Sequence, residues 1–84
     1  MISIQYFASV REALNRDAEQ LELPKDVDTV QALIDYLLGS NPDFDGVLNG
    51  SKQVLVAVNQ TVVNRDHPLA ESDEVAFFPP MTGG

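Results

Sequence analysis

The stretch that decides the fold runs from residue 30 to residue 38 and reads Val30-Gln31-Ala32-Leu33-Ile34-Asp35-Tyr36-Leu37-Leu38. Its apolar residues recur at the spacing i, i+3, i+4, i+7 and i+8, which places them on one face of an α-helix. Asp28 or Thr29 is typical of a residue that caps a helix start. We expect Gly39 to end the helix in a left-handed conformation, since Pro42 disfavours its continuation. The sequence therefore predicts one main helix with a single core-facing stripe.

Segments on both sides of this helix predict strands. Ile2 to Tyr6 alternates apolar and polar residues, and Gln20 to Leu23 alternates again, so the two are expected to pair as in a hairpin. Between them, Ser9 and Glu12 have the spacing of a capping box, which predicts a short helical turn. Residues 40–52 are expected to form a loop, pinned to a core through the apolar residues Phe44, Val47 and Leu48.

The C-terminal half adds a hairpin and a last strand. Val54 to Val58 and Thr61 to Val63 are strand-forming and are joined by the tight turn Asn59-Gln60. Glu74 to Phe78 follows and is stopped by prolines. This order predicts the α+β class, with a mixed sheet packed on one main helix in a β-grasp fold over residues 1–78. The predicted core consists of Ile2, Ile4, Tyr6, Leu33, Leu37, Val56, Val58, Val75 and Phe77.

Composition narrows the functional classes. The chain has 84 residues, 44% of them hydrophobic and 21% charged, which fits one small globular domain. Its net charge of −8 has the wrong sign for binding nucleic acid. The absence of cysteine excludes disulfides, thiolate metal sites and thiol nucleophiles. Since no apolar segment is long enough to enter a membrane, we expect a cytoplasmic protein without a membrane partner.

Catalytic constellations are scarce in the predicted domain. The five glycines cannot be assembled into a nucleotide-binding loop, so a nucleotide would have to be held by a partner. His67 is the single histidine and lacks the companions of a metal site or a triad, which favours a structural role. The carboxylates are scattered and suit solvated surfaces. We therefore expect no metal and no cofactor bound by this chain.

The end of the chain stands apart from the domain, and residues 79–84 are predicted to form an extended tail. It reads Pro79-Pro80-Met81-Thr82-Gly83-Gly84. The two prolines favour an extended root, which lowers the entropy lost when the tail threads into a partner. Glycine lacks a Cβ, so the last two residues can pass a narrow channel and expose the terminal carboxylate. The alternative is a frayed terminus in which the Gly-Gly sequence has no function.

Strand parity predicts an outward face near the root of this tail. If Val75 and Phe77 point toward the helix, then Phe78 points to the other side of the sheet. The same parity exposes Phe7 next to the first strand. Two aromatic side chains beside a functional tail indicate a surface for a partner.

Four segments carry a resemblance that covers the whole chain. They are Phe7-Ala8-Ser9-Val10-Arg11-Glu12, Val58-Asn59-Gln60-Thr61, Asp66-His67-Pro68-Leu69 and Asp73-Glu74-Val75-Ala76-Phe77-Phe78-Pro79-Pro80 followed by Gly83-Gly84. With them the chain resembles the family of small, sulfur-carrier subunits of molybdopterin synthase, which are ubiquitin-like proteins. Residues 40–52 follow no pattern of the family, and Met81-Thr82 is one of several variants in the tail. The resemblance implies that Arg11 and Val62 complete the partner surface with Phe7 and Phe78.

The resemblance also implies a reaction cycle centred on Gly84. An E1-like adenylating enzyme would use ATP and magnesium to convert the Gly84 carboxylate into an acyl-adenylate, which sulfur then converts into a thiocarboxylate. The tail would enter the large synthase subunit, within a heterotetramer of two small and two large subunits, and sulfurate cyclic pyranopterin monophosphate. The catalytic groups would belong to the large subunit.

Two other functional classes remain open at the level of sequence. A ubiquitin-like modifier would use the same activated carboxylate but end in an isopeptide bond between Gly84 and a target lysine. An inert β-grasp scaffold would explain the domain but leave the tail without a role.

Overall fold

The order of strands in the sheet is visible in the computed structural model, which describes residues 1–44, 46 and 54–79. In chain order the elements are β1 (Ile2–Tyr6), α1 (Ala8–Leu14), β2 (Ala18–Leu21), α2 (Val30–Ser40), a 3-10 turn (Pro42–Phe44), β3 (Leu55–Val58), β4 (Thr61–Val63) and β5 (Glu74–Phe78). Over the described residues the strands form one sheet in the order β2-β1-β5-β3-β4. The central pair β1 and β5 is parallel, and the other neighbours are antiparallel. The predicted α+β class with a mixed sheet is confirmed.

Strand β2 pairs with β1 as predicted, but it begins and ends earlier than the predicted Gln20 to Leu23. Leu21 lies opposite Ile2, which is the first residue of β1. Beyond Leu21 the first strand offers no further partner for the ladder. The N-terminal end of β2 instead extends back to Ala18, opposite Gln5. The length of the neighbouring strand, rather than local alternation, decides where β2 lies.

Helix α1 confirms the predicted helical turn but not its predicted cap. The N-cap is Phe7, which makes no side-chain capping hydrogen bond, and Ser9 lies inside the helix. The carbonyl of Phe7 accepts from the backbone N–H groups of Val10 and Arg11. The chain thus turns directly after β1, and burial of Val10 and Leu14 holds the helix against the core. The expected capping box of Ser9 and Glu12 is therefore wrong.

Helix α2 begins at the predicted cap and ends later than predicted. The Thr29 hydroxyl accepts a hydrogen bond from the Ala32 N–H at 3.1 Å. Gly39 does not end the helix, which continues to Ser40 and is followed by Asn41 in an extended conformation. A proline disfavours the helical conformation of the residue before it, so Pro42 ends the helix at Asn41 without a left-handed glycine.

A loop at residues 64–69 closes the N-terminal end of α2. The backbone N–H of Val30 donates to the His67 carbonyl at 3.0 Å, and that of Gln31 donates to the Arg65 carbonyl at 2.8 Å. In return, the Leu69 N–H donates to the Asp28 carbonyl at 2.9 Å. N–H groups that a helix start leaves without intrahelical partners are thereby satisfied. The Asp66-His67-Pro68-Leu69 motif thus lies in the loop whose backbone groups hydrogen-bond to the start of α2.

The core lies between α2 and one face of the sheet. All nine residues of the predicted core are buried, and they are Ile2, Ile4, Tyr6, Leu33, Leu37, Val56, Val58, Val75 and Phe77. Phe44 is also buried and pins the 3-10 turn to this core, as predicted. Val47 and Leu48, expected to act in the same way, lie outside the described residues. Burial of these side chains supplies the main favourable free energy of folding.

The β3–β4 hairpin has the tight turn expected at Asn59-Gln60. Both residues have positive φ angles, 51° and 70°, as a two-residue hairpin turn that follows strand twist requires. The Asn59 side chain also reaches the start of β5, where it donates to Asp73 Oδ1 at 3.0 Å and accepts from the Glu74 N–H at 3.0 Å. Asn59 therefore ties the hairpin to the beginning of the central strand.

Candidate functional site

The root of the predicted tail is the carboxyl end of the central strand β5. The last residues of β5 are Phe77, which is buried, and Phe78, which is half-buried. The carbonyl of Phe77 accepts a hydrogen bond from the Phe7 N–H at 3.1 Å. Pro79 follows and is half-buried. The rest of the predicted tail, from Pro80 through Met81, Thr82, Gly83 and Gly84, lies outside the described residues, and its proposed chemistry stays a prediction.

The face of the sheet opposite α2 carries apolar side chains beside this root. Val75 and Phe77 point into the core, so Ala76 and Phe78 point outward as predicted. Phe7 continues the alternation of β1 in an extended conformation and is 44% exposed. We call the set of Phe7, Leu55, Val62, Ala76 and Phe78 the outer patch. Leu55 pairs with Phe78 on the neighbouring strand, which makes the patch continuous near the root.

Val62 forms one edge of this patch, and Arg11 lies beside the opposite edge. Arg11 lies on α1 one turn after Phe7, and its side chain is about half exposed, 3.8 Å from Asp17. Val62 lies on the edge strand β4 and is 61% exposed. Strands β1 and β4 are three positions apart in the sheet, which separates the two sides by roughly 14 Å. The structure thus places Phe7, Phe78 and Val62 on one face and Arg11 beside it.

A shallow depression beside Arg11 was missed from the sequence. It has a volume of about 320 Å³ and is lined by Arg11, Glu12, Asn15, Arg16 and Asp17. Two of the five basic residues of the chain line it. Asn15 turns the chain there with a positive φ of 55°, which brings the end of α1 close to the residues before β2. Local sequence patterns carry no signal for such a depression because it depends on this turn.

A cluster of aromatic and charged side chains lies under the root of the tail and was also missed from the sequence. The Tyr6 hydroxyl donates to Glu19 Oε2 at 2.9 Å, and Arg16 donates to the same oxygen at 2.9 Å. Burial, the hydrogen bond to Glu19 and the charge of Glu19 all raise the pKa of Tyr6 far above its ordinary value. The hydroxyl is consequently protonated across the physiological range and acts as a donor.

His67 contributes its backbone rather than an exposed catalytic side chain. Its carbonyl accepts from Val30, its N–H donates to Asn64, and the residue is half-buried. Over the described ranges of the chain, no three histidine, aspartate or glutamate side chains are grouped in a way that could hold a metal ion. Nor is any described helix long and apolar enough to cross a membrane.

The architecture and the C-terminal sequence together define a class of protein. A mixed sheet with one main helix, whose central strand leads to a C-terminal Gly-Gly, is typical of ubiquitin-like β-grasp proteins. Residues 4–84 match the ThiS family. The chain belongs to the ThiS family, and its similar relatives include molybdopterin synthase sulfur carrier subunits.

Two such relatives match over the whole chain. The molybdopterin synthase sulfur carrier subunit of Escherichia coli is 46% identical over 84 residues, which is the full length of both chains. The subunit of the same name from Haemophilus influenzae is 38% identical, also over the full length of both. These similarities extend beyond the tail and the four sequence motifs to the whole domain.

Solved structures confirm the fold. SAMP1 from Haloferax volcanii is similar with a TM-score of 0.77 and 25% identity, over 99% of this chain and 98% of that one. A chain in the complex of subunits 1 and 2 of molybdopterin-converting factor from Helicobacter pylori has a TM-score of 0.67 and 17% identity, over 99% and 97% of the two chains. At that identity the second similarity shows the β-grasp fold alone.

Proposed function

We propose that this chain is the sulfur carrier subunit of a molybdopterin synthase and carries sulfur as a thiocarboxylate on Gly84. The observation that carries the proposal is the 46% identity over the full length of both chains to the Escherichia coli subunit of that name. The geometry supports it, since the central strand β5 leads directly into the segment that ends in Gly83-Gly84. A cytoplasmic location fits this role.

The chemistry of Gly84 rests on its backbone carboxylate. A terminal carboxylate has a pKa of about 3.5, so it is ionised at pH 7 and resists attack by nucleophiles. An E1-like partner that binds ATP and magnesium would join this carboxylate to AMP with release of pyrophosphate. A sulfur nucleophile would then attack the acyl carbon and displace AMP, which leaves a thiocarboxylate. This chain supplies the reacting carboxylate, and the partner supplies the nucleotide and the metal.

The second partner is the large synthase subunit, in a heterotetramer of two small and two large subunits. The outer patch supports this assignment, because its exposed aromatic and aliphatic side chains lie beside the root of the tail. A partner that covers Phe7 and Phe78 would receive the tail at the same time. The large subunit would bind cyclic pyranopterin monophosphate and provide the groups that catalyse sulfur transfer to it.

Intact mass spectrometry of the protein purified from its own cells tests the proposal directly. Replacement of one carboxylate oxygen by sulfur raises the mass by about 16 Da. We expect a fraction of the free protein to carry this increase, and expect it to vanish when Gly84 is deleted. A protein that gains no sulfur when the whole cofactor pathway is active would contradict the proposal.

The alternative of a protein modifier has one observation in its favour, the structural similarity to SAMP1 at a TM-score of 0.77. A related structure, also from Haloferax volcanii, is named small archaeal modifier protein 1. A modifier would form isopeptide bonds between Gly84 and lysines of other proteins. Denaturing blots of cell extracts would then show ladders that depend on Gly84, whereas a dedicated carrier would give the free species alone.

A further inference from the structure

The end of the sheet beside the tail root carries a closed ring of four side chains. Tyr6 and Arg16 both donate to Glu19 Oε2, each at 2.9 Å. The Arg16 guanidinium also lies over the Phe44 ring, 5.3 Å from its centroid. Phe44 in turn packs edge-on against the Tyr6 ring, with centroids 6.0 Å apart. The ring joins β1, β2, the segment before β2 and the 3-10 turn, and we call it the root ring.

The root ring contacts β5 near its carboxyl end. The Tyr6 ring is stacked on Phe77, with centroids 6.0 Å apart and planes inclined by 14°. Tyr6 and Phe77 are also register partners in the parallel pair of β1 and β5. The next residue, Phe7, donates its N–H to the Phe77 carbonyl at 3.1 Å. The position of Tyr6 therefore fixes the β1–β5 pairing two residues before Pro79.

The charged half of the root ring contributes more to orientation than to stability. The side chains of Arg16 and Glu19 are 37% and 27% exposed, and ion pairs so close to solvent contribute little to the free energy of folding. Their geometry is nevertheless restrictive. The planar guanidinium is held on one side by the Phe44 face and at its edge by a carboxylate, a combination that lysine cannot reproduce. Glu19 also satisfies the otherwise buried Tyr6 hydroxyl.

Building on the proposed sulfur-carrier function, we propose that Arg16 is a positioning residue that acts on sulfur transfer through the root ring. Arg16 holds Glu19 and Phe44, these hold Tyr6, and Tyr6 sets the position of Phe77, one residue before β5 ends at Phe78. Transfer requires reacting atoms at about 3 to 3.5 Å, so a small displacement of the tail root is enough to slow it. The proposed role of Arg16 is exerted through these contacts within the root ring.

The test compares single-turnover sulfur transfer by chemically prepared thiocarboxylates of the wild type and three variants, at saturating large subunit. Arg16→Ala opens the ring, and Arg16→Lys keeps the positive charge without the planar contact. Asn59→Ala is the matched control, because it removes side-chain hydrogen bonds to Asp73 and Glu74 at the opposite end of β5. Affinity for the large subunit is measured separately by calorimetry.

We expect Arg16→Ala to lower the saturated transfer rate by about fivefold or more while affinity changes by less than about twofold. Arg16→Lys should recover part of this loss, and Asn59→Ala should transfer sulfur at the wild-type rate. A wild-type rate for Arg16→Ala would overturn the proposal. An equal loss for Asn59→Ala would also overturn it, since the effect would then follow general destabilisation.

Amide hydrogen exchange tests the root ring without any sulfur chemistry. The Phe7 amide, bonded to Phe77, should exchange faster in Arg16→Ala. The Asn59 amide, bonded to the Glu74 carbonyl at the other end of β5, should exchange as in the wild type. Unchanged exchange at Phe7 would overturn the positioning role. If the wild-type thiocarboxylate itself delivers no sulfur, the proposed function fails, and the exchange result still decides whether Arg16 holds the tail root.

Discussion

The proposed chemistry depends on Gly84. The length of the tail and the absence of side chains at its last two residues can both be tested. Deletion of Gly84 should abolish sulfur transfer, because the reacting carboxylate would end about 3.5 Å short of its position. Gly83→Ala keeps the length but adds a methyl group and restricts φ, so it should impair turnover less. The measurement is single-turnover transfer from chemically prepared thiocarboxylates. A Gly84 deletion that transfers at the wild-type rate would disprove the carrier function.

Phe78 is the member of the outer patch nearest the tail. Phe78→Ala should weaken binding of the large subunit by about 2 kcal/mol or more, because aromatic side chains at the centre of an interface dominate its affinity. Tyr36→Ala is the control, since Tyr36 is equally aromatic and 44% exposed but lies on α2, on the other side of the molecule. Calorimetry gives the affinities, and circular dichroism checks that both variants fold. Equal affinities for the two variants would remove the outer patch from the interface.

His67 is expected to be dispensable for chemistry despite its place in a family motif. The structure uses its carbonyl and N–H, which any residue other than proline supplies. His67→Ala should therefore leave the single-turnover transfer rate within about twofold of the wild type, because no interaction with the reacting atoms is removed. A loss comparable to that of the Gly83→Ala variant would show that the imidazole takes part in transfer.

At the scale of elements, a glycine substitution in the β3–β4 turn and one in strand β2 should change stability in opposite directions. Gln60 has a φ of 70°, a conformation that costs side-chain-bearing residues free energy and glycine almost none. Gln60→Gly should raise the free energy of unfolding by about 0.5 kcal/mol. Gln20→Gly, in the exposed strand β2, should lower it by about 0.5 to 1 kcal/mol. Urea denaturation measures both, and a destabilised Gln60→Gly would contradict the turn assignment.

The types of the elements were predictable from the sequence, and several of their ends were not. The stripe from Val30 to Leu38 and the alternation of β1 and β5 reflect which side chains the core buries, and burial is what periodicity records. The ends depend on distant partners. Strand β2 ends where β1 has no further residue to pair with, and the start of α2 is completed by carbonyls of the 64–69 loop.

The same distinction explains which parts of the site were predictable. Parity along β5 was enough to place Phe78 on the outer face, because the pleat alternates regularly. The root ring was not predictable, because Tyr6, Arg16, Glu19 and Phe44 come from four segments that only the finished sheet brings together. The predicted strand Gln20 to Leu23 had also left Glu19 outside the sheet.

At the scale of the whole molecule, the buried Tyr6 hydroxyl should make the free energy of unfolding decrease as the pH becomes alkaline. Its pKa is raised above the unfolded value of about 10, so the folded state holds the proton more tightly than the unfolded state. This contribution is present in full below pH 10 and is lost as pH rises above it. We expect the free energy of unfolding to fall by on the order of 1 kcal/mol more in the wild type than in Tyr6→Phe between pH 9 and pH 11.

The other tyrosine provides the control for this pH dependence. Tyr36→Phe also removes one tyrosine hydroxyl, but from an exposed position on α2, and the profile of Tyr6→Phe should be flatter than those of the wild type and Tyr36→Phe. Urea titrations at several alkaline pH values give the three profiles. Parallel profiles for the wild type and Tyr6→Phe would show that the hydroxyl remains accessible to solvent in the folded state.

The parallel pairing of β1 with β5 has a practical consequence for handling the protein. The Met1 carbonyl accepts a hydrogen bond from Ser72, just before β5 begins, so the amino terminus lies at the opposite end of that strand from Phe78. A five-residue strand separates the two ends by about 17 Å. A fluorophore, a bead or a fusion partner attached through Met1 would therefore be linked at the end of β5 opposite Phe78. Immobilised in this orientation, the protein would keep the Phe78 end of β5 on the side away from the support.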